Sequence, residues 1–111
     1  MKLNDVGSAI ATRALKLRSG VNVIVSIGRP EKFPDSVDYY CPYQIRGIGD
    51  EHVRYARGVD GVQALELALK KIGADLYTSR EAQSKELIWN GGENLGFPVP
   101  DALSDLPPQT P

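Results

Sequence analysis

Asp60-Gly61-Val62-Gln63-Ala64-Leu65-Glu66-Leu67-Ala68-Leu69-Lys70-Lys71-Ile72-Gly73-Ala74-Asp75-Leu76 is the stretch whose reading decides the fold. At about 100° per residue, Val62, Leu65, Leu69, Ile72 and Leu76 fall in an arc of roughly 80°, the width of one apolar stripe laid on a sheet. Asp60 and Gln63 have the spacing of a capping box, in which the carboxylate accepts an orphan amide of the first turn while the Gln63 side chain reaches back. Glu66 precedes Lys70 by one turn in the favourable orientation, which marks a solvated opposite side. Gly73 lies near the middle of the apolar arc. It reads either as a C-terminal cap or as a point where the helix meets another backbone closely, and Leu76 extending the stripe favours the second.

Working back from Asp60, the segments read as strands. Residues 8–17 alternate unevenly: Ile10 and the set Ala11, Leu15 and Leu17 are apolar, and Arg13 falls on the otherwise apolar side. Val21-Asn22-Val23-Ile24-Val25-Ser26-Ile27 is the clearest strand, β-branched and apolar at every odd position. The intervening Arg18-Ser19-Gly20 suits a tight hairpin, so these two strands should pair antiparallel. Residues 28–37 carry two prolines and read as an ordered loop without an element. Residues 39–46 alternate Tyr39, Cys41, Tyr43 and Ile45 against Tyr40, Pro42, Gln44 and Arg46, a third strand in which Pro42 implies an edge or a bulge. After turn residues at 47–50, residues 52–57 read as a fourth strand with Val53 and Tyr55 on one side.

Beyond Tyr77 the pattern thins. Glu86-Leu87-Ile88-Trp89 reads as a short strand or an ordered crossing, Asn90-Gly91-Gly92 must turn, and Leu95, Phe97 and Val99 should pack back on the domain. The expectation is therefore one α+β domain over residues 1–99. Its antiparallel sheet has about four strands in β-β-β-β-α order, with one long helix packed on one face. Residues 100–111 are a proline-rich flexible C-terminal tail.

The 111-residue chain holds 13 basic and 14 acidic residues, a formal net charge of −1, so it lacks the positive excess that condenses a protein onto nucleic acid. One cysteine permits no intrachain disulfide and points to a reducing, cytoplasmic setting. The N-terminus has no apolar signal core, and no apolar run approaches the length of a membrane span.

Groups with chemical potential are sparse. His52 is the one histidine; Asp50 and Glu51 are close in sequence, but adjacent residues of a strand point to opposite faces, and it reads as an exposed histidine at a strand entry. Cys41 sits on the inward side of its strand without a base nearby, a small hydrophobe and not a nucleophile. Asp35, Asp38, Asp50 and Glu51 lack the ordered spacing of a calcium loop. Neither Gly28-Arg29-Pro30 nor residues 91–96 link a strand to a helix as a phosphate loop does. No catalytic residue, metal ligand or cofactor site is therefore assigned.

The aromatic residues are more telling. Phe33, Tyr39, Tyr40, Tyr43 and Tyr55 concentrate around the proline-rich loop, and tyrosines on both sides of one strand cannot all enter the core. They are either an exposed protein interface or the cover of the sheet face away from the helix.

Gly58-Val59-Asp60-Gly61-Val62-Gln63-Ala64-Leu65, running on through Leu69 to Gly73-Ala74-Asp75-Leu76, resembles a family of small bacterial domains of unknown function. Ile27-Gly28-Arg29-Pro30, Cys41-Pro42-Tyr43-Gln44-Ile45 and Leu95-Gly96-Phe97-Pro98-Val99 are similar to its other shared segments. The resemblance implies a bacterial, intracellular α+β domain, sometimes met near secretion or toxin loci, and carries over no catalytic residue. The functional expectation is a non-enzymatic protein-binding module of immunity or adaptor type, facing a toxin- or effector-like partner through the five aromatics. The alternative is a small-molecule binder or small enzyme with a pocket near residues 89–99, drawing on Arg46, Asp60 or Asn94. Homodimerisation through an edge strand or the back of the helix is compatible with either.

Overall fold

The computed structural model describes residues 1–108; of the tail expected over 100–111, residues 109–111 lie outside the described residues. The first hairpin forms as the residues require. Strand β1 (Ala9–Leu17) pairs antiparallel with β2 (Asn22–Gly28). Between them Leu17 N donates to Val21 O at 2.8 Å and Gly20 takes φ +102°, a backbone state that glycine reaches without a Cβ penalty. A register shift makes Ile10 the extra residue of a bulge.

The stretch expected as a plain loop contains a two-residue strand, β3 (Glu31–Lys32), which pairs with the start of β4 (Tyr39–Arg46). Strand β5 (Arg54–Gly58) begins two residues later than expected, leaving His52 and Val53 in the preceding turn. Tyr39 and Tyr40 pair with both β3 and β5, and Tyr43 with both β2 and β5. Since a strand has two edges, β2 and β3 share one edge of β4 and β5 takes the other.

Pro42 accordingly sits in an interior strand, where the ladder to β2 and β3 breaks: Ile27 faces Tyr43, the next pair is Glu31 with Tyr40, and Cys41 and Pro42 go unpaired on that side. This gap in the ladder tolerates the donor that proline lacks. A final two-residue strand, β6 (Leu87–Ile88), pairs with Lys16 and Leu17. Among the described residues six antiparallel strands result, in the spatial order β6-β1-β2/β3-β4-β5.

Helix α1 (Gly61–Tyr77) starts at the expected cap. Asp60 Oδ1 accepts from Gln63 N at 2.8 Å, and Gln63 Oε1 accepts from Val59 N, one residue further back than a standard capping box. The helix covers one face of β4 and β5, but it is turned from the expected orientation. Ala64, Ala68, Ile72 and Leu76 are fully buried, Leu65 and Leu69 lie at the margins of the core, and Val62 is 67% exposed. The strip of these four is centred roughly 60° around the helix from the stripe of large residues, and Gly73 and Tyr77, on the other flank, are buried under the returning C-terminal segment.

Close approach explains the turn: a Cβ on Gly58 would lie 2.4 Å from Ala64 N, so β5 and the helix are too near for a leucine between them. Gly73 shows the second of its two readings. The helix runs through it, and a Cβ there would fall 1.8 Å from Pro98 O.

The remainder of the inner face, over β1 and β2, is closed by residues 87–99. Leu87, Leu95 and Phe97 are buried with Leu15, Val23, Val25 and Ile27. Arg13 belongs to this layer. Its guanidinium lies 4.0 Å from the Trp89 ring centroid and 4.7 Å from that of Phe97, and Nη1 donates to Leu95 O at 3.2 Å, so an inward arginine is satisfied without a carboxylate. A short helix, α2 (Arg80–Gln83), links α1 to β6.

Candidate functional site

Alternation along β4 divides the five candidate aromatics. Tyr39, Cys41, Tyr43 and Ile45 point to the helix side, and Tyr40, Pro42, Gln44 and Arg46 to the other. Tyr43 is completely buried, its hydroxyl donating to Asp75 Oδ2 of α1 at 2.7 Å. Tyr39 is half-buried against the core beside Gly61. Tyr43 is thus part of the core, and Tyr39 packs against it.

Tyr40 and Tyr55 lie on the outer face, which no helix covers, and Phe33 from the loop after β3 joins them. Ring centroids are 5.0 Å apart for Phe33–Tyr40, 5.9 Å for Phe33–Tyr55 and 6.0 Å for Tyr40–Tyr55, in tilted and edge-on arrangements that suit aromatic quadrupoles. Arg57 lies over the Phe33 ring at 4.4 Å. Its guanidinium is held by Asp38 Oδ2 at 2.9 Å and Ser36 Oγ at 3.3 Å. Phe33 N donates to Asp38 O, which closes the loop under the cluster. Val37 and Val59, respectively 77% and 67% exposed, are nearby in sequence on the flanking turns.

A second feature escaped the sequence reading. A cleft of about 530 Å³ opens between the β4–β5 turn and the end of α1, with Tyr43, Ile45, Ile48, Arg54, Asp75 and Arg80 among its walls. Asp50 on its rim binds Arg54 Nη2 at 2.9 Å and lies 3.4 Å from His52 Nδ1. Within this turn Asp50 reaches His52. The His52 amide, which donates to the Asp50 carboxylate, and the charges of Arg54 and His52 hold that carboxyl below its ordinary range.

The pocket expected near residues 89–99 is not assembled from the expected groups. Asp60 is committed to the helix cap, Asn94 Oδ1 accepts from Gly96 N and Tyr77 Oη, and Arg46 is exposed at the end of β4. Among the described residues no cluster of three or more His, Cys, Asp or Glu is placed to hold a metal ion, and no helix is long and apolar enough to cross a membrane.

Two buried groups give the fold an alkaline limit. Burial pushes the Cys41 thiol from 9.0 to about 11. Burial first, then the hydrogen bond and charge of Asp75, hold the Tyr43 phenol above its ordinary 10.0. In both cases the folded state favours the neutral form. Stability is thus complete below pH 9 and falls as the unfolded chain ionises while the folded one does not. Cys41 alone should cost about 2–3 kcal/mol between pH 9 and 11. Urea midpoints across that range should fall steeply for the parent and less for Cys41→Ala, whatever the neutral-pH cost of that substitution.

The geometry defines a class: a small two-layer α+β protein, with a helix and a returning C-terminal segment on one sheet face and an aromatic cluster on the other. The chain belongs to the family described as Domain of unknown function (DUF6968), whose model matches residues 11–99. Comparison with curated proteins and with solved structures returns no match.

Proposed function

We propose that this protein is a non-catalytic protein-binding module, of immunity or adaptor type, that occludes a toxin- or effector-like partner with the outer face of its sheet. The observation that carries the reading is the cluster of Phe33, Tyr40 and Tyr55 with the Arg57 guanidinium over Phe33, on a face without a covering helix. Tyrosine and arginine dominate binding hot spots. Here they are already held by one another, so docking would cost little side-chain entropy.

Affinity capture from the cells that make the protein tests the reading, comparing the parent with a Tyr40→Ala/Tyr55→Ala double variant checked for retained cooperative melting. A stoichiometric protein held by the parent and lost by the variant is expected. Recovery of none, or of one indifferent to both substitutions, removes the proposal.

A second reading, a small-molecule binder, is favoured by the roughly 530 Å³ cleft, whose size is ordinary for a ligand site and whose walls bring Arg54, Asp75 and Arg80 together. A ligand specific to the folded state must raise the melting temperature. A flat thermal-shift screen against nucleotides and common metabolites, repeated with Arg54→Ala, would leave the cleft without a role.

A further inference from the structure

The two lateral edges of the sheet are treated very differently. At β5 the edge is guarded: Lys71 Nζ donates to the Tyr55 carbonyl at 2.7 Å, and Arg54 and Arg57 are both exposed on this short strand. Charge and brevity of this kind keep other strands away. At β1 the edge is open. Among the described residues, β6 pairs only with Lys16 and Leu17, leaving Ala9 to Leu15 without a neighbour on that side.

The direction of the unpaired groups follows from the hairpin. Leu17 N points to β2, where it meets Val21 O, and Arg18 N points the other way, to Glu86 O. Alternation then turns the N–H and C=O of Thr12 and Ala14 to the open edge. None of the usual guards stands there except the bulge at Ile10: the one charge in the stretch, Arg13, is drawn inward under Trp89. Ile10, Thr12 and Ala14 are exposed, and Ile10 is 50% so. The N-terminal residues do not cover the edge, since Val6 lies across Gly28 beside Pro42.

We infer that this edge joins two copies of the chain, β1 against β1 in antiparallel register about a two-fold axis at Thr12, so that one sheet runs through both. Self-complementarity selects a second copy as the occupant. A centre at Thr12 sets threonine opposite threonine and Ile10 of each copy opposite Ala14 of the other, where a groove between Ala14, Ile88 and Trp89 can take the isoleucine. A centre one residue on, at Arg13, would oppose two guanidinium groups, and like charges directly across a ladder repel. Pairing stops at Ala14 because β6 occupies the level of Lys16.

Sedimentation equilibrium of the full chain tests the inference at its centre. The parent should sediment at twice its chain mass. Thr12→Lys and Thr12→Glu each place like charges across the axis and should weaken self-association by about tenfold or more. An equimolar mixture of the two should regain the dimer, which also shows that both variants are folded. A parent that is monomeric at its highest soluble concentration overturns the inference, as do single variants that remain dimeric or a mixture that stays monomeric.

Discussion

Gly58→Ala is expected to destabilise the protein by about 3 kcal/mol or more, although it adds a single methyl group to a strand. Intrinsic preference argues weakly the other way, because glycine is a poor strand residue and alanine a somewhat better one. Packing decides the sign. The added Cβ would lie 2.4 Å from Ala64 N, 2.8 Å from Gln63 C and 2.9 Å from Ala64 Cα. All three are helix backbone atoms, which cannot rotate aside as a side chain would. Relief requires lifting the N-terminal half of α1 from the sheet, which opens space around Ala64 and Ala68, both completely buried. Denaturant unfolding followed by circular dichroism should show a lower midpoint; an unchanged midpoint would mean that helix and strand are further apart.

A second large effect separates the two possible orientations of α1. Ile72→Ala should cost about 2–5 kcal/mol, because the side chain is completely buried and its removal leaves a cavity. Val62→Ala should be neutral or stabilising by a few tenths of a kcal/mol, since Val62 is 67% exposed and alanine is the better helix former. Were the helix seated on its stripe of large residues, both would be core positions and both would lose stability. The difference between the two urea midpoints, at unchanged slope, therefore reports the rotation directly.

That rotation shows where periodicity stops being informative. Leu65 and Leu69 dominate any hydrophobic average, and alanine barely registers in it. Yet the contact at Gly58 leaves no room for a side chain larger than that of Ala64, and a clearance between two elements distant in sequence has no local signature. The first hairpin, the cap at Asp60 and the span of the helix were legible because turn residues, capping spacing and β-branched alternation are local properties. Residues 86–89 allow a short strand or a crossing, and pairing with Lys16 and Leu17 decides for the strand, whereas β3 had no local signature: two residues are too few to show a period, and each exists because a longer neighbour supplies a partner. Alternation in β4 separated Tyr39 and Tyr43 from Tyr40, but the choice of side waited on the helix. The cleft draws on residues as far apart as Tyr43 and Arg80, a juxtaposition with no local signature.

The central claim is that the sheet has one closed face, holding Tyr43, and one open face, presenting Tyr40 and Tyr55. Nitration of the native protein by tetranitromethane, with sites and rates read by mass spectrometry, tests this most directly. Tyr40 and Tyr55 should react, while Tyr43, completely buried, and Tyr77, 4% exposed, should be protected until the chain unfolds. Nitration of Tyr43 as fast as Tyr40 in the folded protein, or protection of all four, would contradict it.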